Sequence, residues 1–156
     1  MEENRLKVKL DPGSYLPTRA HATDAGLDLY STEDKTVWPL KGKFEYGELS
    51  IHLSGGTTFD TGVHIAFDPG TYGKIESKSG LNVKHSVVSC GGVVDEGYTG
   101  SIAVKLYNLG TEPYTVHAGD KIAQLVIMPY LTPEIELVPF LDETERGSSG
   151  FGSTGK

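Results

Sequence analysis

The chain has 156 residues, enough for one domain with a sizeable core, and a formal net charge of −7, which argues against the basic face that nucleic-acid binding needs. A few local cations can outweigh that global sign, so a single nucleotide is not excluded as a ligand. Cys90 is the only cysteine, which excludes an intrachain disulfide and a cysteine-rich zinc site and predicts a small buried thiol.

Short strand-like segments separated by turn residues make up most of the chain. From Leu6 to Leu10, apolar residues alternate with lysines, which predicts a half-buried strand. Later runs of this kind are predicted as strands at Thr61–Phe67, Tyr72–Ser77, Ser101–Tyr107, Ile122–Met128 and Glu134–Val138. Leu81–His85 is predicted as one short turn of helix. The pattern predicts an all-β fold, a jelly-roll-like barrel or sandwich, in a single domain of residues 1–156.

The stretch Leu40–Thr58 interrupts this pattern. It contains two strand-like pieces and a loose Gly-rich end. We interpret it as a hairpin inserted on the surface of the domain.

Asp28 is a charged residue inside a strand-like segment. Its neighbours Leu27 and Leu29 would point to the opposite face of a strand. The carboxylate could lie near a metal, or it could be an ordinary exposed strand residue.

Lys78, Ser79 and Gly80 place a cation, a hydroxyl and a closely approachable backbone N–H in succession. These groups suit a phosphate, although a solvated turn would use the same residues. Gln124 is a polar residue in an otherwise apolar strand. A buried amide needs partners, which could be the backbone or a phosphate.

Asp95 follows two apolar residues, so it could end a buried strand as a partly shielded carboxylate. Such a carboxylate can act as a general base on water. Tyr98 follows three residues later, where its ring could pack on a sugar. The alternative is a tight hairpin with a turn Asp and a packing Tyr.

The last eleven residues, 146–156, show no apolar periodicity and cannot bury enough apolar surface to order themselves. They nevertheless combine glycine N–H groups, hydroxyls, the Arg146 guanidinium and the Phe151 ring, a set that suits an anionic ligand. We interpret this segment as an arm that closes over a phosphorylated ligand; a frayed terminus is the alternative.

The apolar runs of the sequence are shorter than the ~18 residues of a membrane span. The first residues also lack the apolar core of a signal peptide. We therefore expect a soluble protein of the cytoplasm or another intracellular compartment, without a membrane or nucleic-acid partner.

Taken in order, five segments strongly resemble the five sequence motifs of the dUTP pyrophosphatase (dUTPase) family. They are Asp24–Tyr30, Ser77–Leu81, Gly92–Gly100, Gly119–Leu125 and Arg146–Gly155. The resemblance spans residues 19–155 apart from the stretch at 40–58.

The resemblance implies a Mg²⁺-dependent enzyme that hydrolyses dUTP to dUMP and pyrophosphate, which limits uracil in DNA and supplies dUMP for dTMP synthesis. It also implies a homotrimer of jelly-roll-like subunits, with three active sites each built from all three chains. Two alternatives stay open: a related dCTP deaminase, or a dUTP-responsive binding protein with a protein partner at residues 40–58.

The family's residue roles can be carried over to matching positions. Asp95 would be the general base for the water that attacks the α-phosphorus, Tyr98 would stack on the deoxyribose, and Asp28 would reach Mg²⁺ through a water. The remaining substrate contacts implied are phosphate binding by Lys78, Ser79, Gly80 and Gln124, and uracil recognition by the backbone at Gly92, Val94 and Ala103.

In the C-terminal arm, the resemblance implies that Phe151 covers the uracil. The residues implied to contact the rest of the nucleotide there, chiefly its γ-phosphate, are Arg146, Gly152, Ser153 and Thr154.

Four positions depart from the family pattern: Lys78 and Lys121 stand where Arg is usual or common, Gly97 replaces an acidic residue, and Ser149 replaces Gly. Lysine keeps the positive charge but loses the forked geometry of Arg. These departures bear on rate and phosphate affinity rather than on the type of reaction.

Overall fold

The computed structural model describes residues 5–40, 55–145 and 147–148. Within these ranges the chain forms eleven strands and one short helix. The elements are β1 (Lys7–Leu10), β2 (Gly26–Tyr30), β3 (Lys35–Val37), β4 (Thr57–Asp60), β5 (Val63–Ala66), β6 (Thr71–Glu76), α1 (Ser79–His85), β7 (Val87–Ser89), β8 (Val93–Val94), β9 (Ala103–Asn108), β10 (Tyr114–Val116) and β11 (Lys121–Pro129). The predicted all-β fold is confirmed.

The strands pair antiparallel in four sheets. The largest has the order β2-β11-β6-β8, and a three-stranded sheet has the order β4-β9-β7. Two ribbons, β1-β5 and β3-β10, complete the fold. Because β11 is the longest strand and lies between β2 and β6, it fixes which residues of those two strands face each other.

The core lies between these sheets and is formed by alternate residues of the strands. On β9, for example, Val104 and Leu106 are buried while Ala103 and Lys105 are exposed. Phe59 of β4 is completely buried. Burial of each such side chain contributes about 1.5–3 kcal/mol to folding.

Two sequence-based expectations about single residues and segments are wrong. Glu134–Val138 is not a strand, and its Ile135 and Leu137 are each 98% exposed. Alternation alone cannot make a strand, because its backbone groups need a partner strand. Cys90 is exposed rather than buried, since it lies just beyond the end of β7.

The predicted insertion and the C-terminal arm fall mostly outside the described residues. For the insertion, residues 41–54 lie outside, whereas Thr57 and Thr58 pair with Leu106 and Lys105 in the β4-β9 ladder. That end of the stretch is therefore part of a sheet. In the described ranges, no helix is long and apolar enough to cross a bilayer.

Asn108 is a completely buried polar residue at the end of β9. Its amide nitrogen donates to the backbone oxygens of Val37 at 2.9 Å and Glu112 at 2.8 Å, and its side-chain oxygen accepts from the Gly110 N–H at 2.9 Å. The side chain thus joins β3, β9 and the turn that leads to β10.

We expect Asn108→Ala to lower the free energy of unfolding by about 2–4 kcal/mol, because it leaves three backbone groups without their partner. Urea denaturation would measure the change. Asn82→Ala, on the exposed side of α1, is the matched control and should change the value by less than about 0.5 kcal/mol. Equal losses in the two variants would contradict the role of Asn108.

Candidate active site

Three polar residues form a row across the largest sheet. Gln124 of β11 lies opposite Asp28 of β2 on one side and opposite Glu76 of β6 on the other. Directly opposed residues of antiparallel strands point to the same face of the sheet. The register therefore brings together two residues, Asp28 and Gln124, that come from different sequence motifs.

Two lysines neutralise the Asp28 carboxylate, which is only 3% exposed. Lys78 Nζ lies 2.5 Å from one carboxylate oxygen and Lys121 Nζ lies 2.8 Å from the other. Burial opposes ionisation of Asp28, but the hydrogen bonds and charges of Lys121 and Lys78 outweigh it and hold its pKa below the usual value. The hydrogen bond to Asp28 likewise raises the pKa of Lys121. The three groups therefore carry a net positive charge that suits an anion.

Gln124 bridges the two strands beside β11. Its Nε2 donates to the Ser77 carbonyl oxygen at 3.1 Å, so the side-chain amide nitrogen has a backbone partner. Its Oε1 lies over Gly26, where a Cβ atom would come within 2.3 Å of that oxygen. Gly26 thus permits the side chain to lie across β2.

The end of β6 is held by a serine pair, and this positions the residues that follow. The Ser89 N–H donates to Ser77 Oγ at 2.9 Å, and the two hydroxyls lie 3.2 Å apart. Lys78 is then extended, and Ser79 and Gly80 begin α1 at an exposed position. The first N–H groups of a helix have no partner within it, so those of Ser79 and Gly80 suit an acceptor such as phosphate.

A second group of site residues lies in the hairpin after β8. The Tyr98 N–H donates to the Asp95 carbonyl oxygen at 3.0 Å and closes a turn. The Tyr98 hydroxyl donates to the Ser101 carbonyl oxygen at 2.8 Å, and its ring lies across Gly100, where a Cβ would clash. The ring is rigidly placed yet 47% exposed. In the single chain the Asp95 carboxylate is exposed rather than partly shielded as expected.

Glu96 fixes the turn from one side. Its Oε2 accepts from the Gly70 N–H and from the Tyr130 hydroxyl, both at 2.7 Å. The Tyr130 hydroxyl and the Gly70 N–H both lower the pKa of Glu96. This contact could not be predicted from sequence patterns, because its partners come from distant parts of the chain.

His64 and Asp60 fix the far end of the hairpin. His64 Nδ1 lies 2.8 Å from the Thr99 carbonyl oxygen, and the Ser101 hydroxyl donates to the Asp60 carboxylate. Asp60 also accepts from the Gly62 N–H at 3.0 Å. The hairpin that carries Asp95 is therefore anchored at both ends by residues that sequence patterns did not identify.

The two groups lie at different places along β6. Val94 pairs with Gly73, three residues before Glu76, which corresponds to roughly 10 Å along a strand. Because β8 runs antiparallel to β6, each later residue of β8 lies farther from Glu76. Asp95, which follows Val94, is therefore still farther from the row of Asp28 and Gln124. One chain therefore does not bring Asp95 together with the lysines.

The predicted uracil-recognition positions are placed as follows. The Gly92 carbonyl oxygen accepts from the Ile75 N–H at 2.9 Å, Val94 is buried, and Ala103 is exposed at the start of β9. Outside the described residues lie the arm positions Arg146, Ser149, Phe151, Gly152, Ser153 and Thr154.

Asp28 is the carboxylate predicted to reach Mg²⁺. In the described ranges no group of three or more His, Cys, Asp or Glu side chains could hold a metal ion alone. Mg²⁺ usually keeps several waters and takes oxygens from substrate phosphates, so one carboxylate acting through water fits this ion.

Comparison with known sequences gives a consistent result. The dUTPase family model matches residues 14–155. The deoxyuridine 5'-triphosphate nucleotidohydrolase of Clostridium tetani is 41% identical over 159 residues, which cover 100% of this chain and 100% of that protein. The mitochondrial human protein of that name is 42% identical over 96% of this chain, which spans 54% of the human protein, about half its length.

Solved structures share the same fold. The dUTPase of Staphylococcus bacteriophage 80alpha, solved with dUpNHpp, is 30% identical with a TM-score of 0.80, over 98% of this chain and 99% of that chain. A variant of the dUTPase of S. aureus phage phi11, described for its coordination of a structural Mg(II) ion, is 27% identical with a TM-score of 0.74. That match covers 88% of this chain and 98% of the phage chain.

The anchoring histidine generates a prediction about pH. The hydrogen bonds of His64 to the Thr99 carbonyl and to Asp11, at 3.0 Å, raise the pKa of His64 above its ordinary 6.5, while Lys9 opposes the shift. Protonated His64 therefore stabilises the fold below its unfolded pKa, and this contribution is lost as the pH rises through the folded pKa. We expect His64→Gln to lower the free energy of unfolding more at about pH 5.5 than at about pH 8.5, as measured by urea denaturation.

The Asp11→Asn background is the control for this experiment. The pH-dependent part of the His64→Gln effect should become smaller there, because one of the two hydrogen bonds loses its charge. An equal effect of His64→Gln at both pH values would show that protonation of His64 does not stabilise the fold.

Proposed function

This chain belongs to the dUTPase family and hydrolyses dUTP to dUMP and pyrophosphate, and we propose that three copies share each active site, with Asp95 as the general base. The observation that carries the proposal is the separation of Asp95 from the lysine cluster along β6. A site that needs both groups must take them from different chains. The product dUMP would serve dTMP synthesis, and removal of dUTP would limit uracil in DNA.

The cluster around Asp28 binds the triphosphate. Lys78 supplies a positive charge, Ser79 and Gly80 supply a hydroxyl and backbone N–H groups, and Gln124 supplies a side-chain amide. Phosphoryl transfer needs positioning and charge neutralisation more than covalent help from the protein. A hydrated Mg²⁺ would supply further neutralisation of phosphate charge, held by Asp28 through a coordinated water.

The hairpin that follows β8 supplies the base. Asp95 accepts a proton from a water as that water attacks the α-phosphorus and pyrophosphate leaves. The anchoring of the hairpin through Glu96 and Thr99 keeps the carboxylate in place. Because Asp95 is exposed in a single chain, a neighbouring subunit would exclude bulk water from it.

Tyr98 and the hairpin backbone select the nucleoside. The Tyr98 ring is held through its hydroxyl and is 47% exposed, so it can stack on a deoxyribose and exclude a 2′-hydroxyl. The backbone at Gly92, Val94 and Ala103 recognises the uracil edge. Such a site rejects cytosine, because the wrong edge leaves polar groups unpaired.

Exposed apolar side chains support assembly into a homotrimer. The segment that follows β11 carries five large apolar side chains that are exposed to solvent. They are Leu131 (91% exposed), Ile135 (98%), Leu137 (98%), Phe140 (78%) and Leu141 (84%). Several large apolar side chains left exposed in one segment indicate an interaction site. A second copy of the chain is the partner that a shared active site requires.

The arm at residues 146–156 lies almost wholly outside the described residues and stays a proposal. Phe151 would cover the uracil, while Arg146, Ser153 and Thr154 would bind the γ-phosphate beside Gly152. A closing arm excludes bulk water and completes the site. A protein partner at residues 40–58 also stays a prediction.

The activity is tested by measuring pyrophosphate release from dUTP, dTTP, dCTP and UTP with Mg²⁺. We expect release from dUTP alone. In the same assay Asp95→Asn should lower kcat by about 100-fold or more, because the water loses its base. Binding of the non-hydrolysable analogue dUpNHpp to this variant should stay close to that of the wild type.

Two outcomes would contradict these assignments. Ammonia released from dCTP, without pyrophosphate from dUTP, would identify a deaminase. An Asp95→Asn variant with the kcat of the wild type would exclude Asp95 as the base.

Removal of residues 146–156 tests the arm. We expect kcat/KM for dUTP to fall by about 100-fold, because the substrate is no longer held in its reactive geometry. The truncated protein should remain a trimer by light scattering. A monomeric product would show that the arm holds the subunits together and would contradict its role as a lid.

A further inference from the structure

A closed cycle of hydrogen bonds joins three distant segments beside the Asp95 hairpin. The Gly70 N–H and the Tyr130 hydroxyl both donate to Glu96 Oε2 at 2.7 Å. The Tyr130 N–H in turn donates to the Gly70 carbonyl oxygen at 3.0 Å. Each of the three residues therefore binds the other two, and displacing any one of them breaks two hydrogen bonds.

The largest sheet supports two residues of this cycle. Tyr130 directly follows Pro129, the last residue of β11, and its ring packs edge-on against that of Tyr72 on β6 with the centroids 6.2 Å apart. Gly70 lies in the turn that leads into β6 and has a φ of +79°, which a residue with a Cβ atom rarely adopts. Because β6 and β11 are paired along their length, these two residues form a fixed support for the third, Glu96.

Glu96 connects this support to Asp95. The hydrogen bond from the Tyr98 N–H to the Asp95 carbonyl oxygen closes a four-residue turn in which Glu96 is the second residue. Within the described ranges no group donates a hydrogen bond to the Asp95 carboxylate, so its direction depends on the backbone of the turn. Holding the Glu96 side chain fixes that backbone at the position next to Asp95.

The hydrogen bond between Tyr130 and Glu96 joins a neutral hydroxyl to a carboxylate. The Tyr130 hydroxyl and the Gly70 N–H hold the pKa of Glu96 below its ordinary value. The hydrogen bond to Glu96, burial, and the negative charges of Glu96 and Asp95 raise the pKa of Tyr130. At neutral pH the hydroxyl thus keeps its proton while Glu96 is ionised, which makes the contact a charge-assisted hydrogen bond.

We propose that Tyr130 is a positioning residue for dUTP hydrolysis, which acts through Glu96 to fix the turn that carries Asp95 in the same chain. The inference rests on the proposed role of Asp95 as the general base, and it adds a residue outside all five motif segments. A general base must lie within hydrogen-bond reach of the attacking water, and a misplacement of about 1 Å can cost about 100-fold in rate. Loss of the cycle therefore lowers kcat and leaves substrate binding unchanged.

The test measures kcat and KM for pyrophosphate release from dUTP with Mg²⁺ by the full-length protein. Tyr130→Phe removes only the hydroxyl, and we expect kcat to fall by about 10-fold while KM changes by less than about twofold. Glu96→Ala should lower kcat by at least as much. Glu96→Gln keeps an accepting oxygen and should retain kcat within about threefold of the wild type.

Tyr72→Phe is the matched control, because it removes a hydroxyl from the other ring of the same aromatic pair. This variant should have the kcat of the wild type. A second comparison places Tyr130→Phe in the Asp95→Asn background. There it should change the residual kcat by less than about twofold, because no base is left to position.

Four results would overturn the role of Tyr130. They are a wild-type kcat in Tyr130→Phe, an equal loss of kcat in Tyr72→Phe, an equal further loss in the Asp95→Asn background, and a loss in Glu96→Gln as large as that in Glu96→Ala. Each of them leaves the base assignment intact if Asp95→Asn alone has the expected defect. A wild-type kcat in Asp95→Asn would instead refute the base on which the inference rests.

Discussion

The pairing of β11 with both β2 and β6 is the constraint on which the cluster of Asp28, Lys78 and Lys121 depends. It sets Gln124 between Asp28 and Glu76 and buries a carboxylate inside a β-sheet. A buried negative charge is tolerated only when it is paired, so the same register requires cations nearby. Lys78 and Lys121 meet that requirement. Together with Asp28 they carry a net positive charge, which can attract an anionic substrate.

The Asp95 hairpin is held in place by different interactions. It contains only two strand residues, Val93 and Val94, and cannot be rigid through its own ladder. Side chains from distant segments hold it instead, with Glu96 bound near β6 and Thr99 bound by His64 of β5. A carboxylate on a short turn thus gains fixed geometry from hydrogen bonds rather than from sheet pairing.

Features that depend on local residue patterns could be predicted from the sequence. Alternating apolar residues predicted β1, β5, β6, β9 and β11, and a polar residue within an apolar strand drew attention to Gln124. Elements that depend on a partner segment were not predicted correctly. Residues Glu134–Val138 alternate in hydrophobicity, but no strand lies beside them in the described chain. His64 and Glu96 look like ordinary surface residues in sequence, because their contacts are 35 and 26 residues away.

The hydrogen bond between Tyr130 and Glu96 has a further consequence. It is the first residue after β11, so the segment that leads to the C-terminal arm leaves the sheet at a point tied to the Asp95 hairpin. From Tyr130 to Arg146 the chain has sixteen residues, which span at most about 55 Å when extended. For any group joined through such a tether, the effective concentration at sites within reach is set by the tether length rather than by the amount of protein in solution. Closure over a substrate would then be independent of protein concentration, provided that the subunits remain assembled.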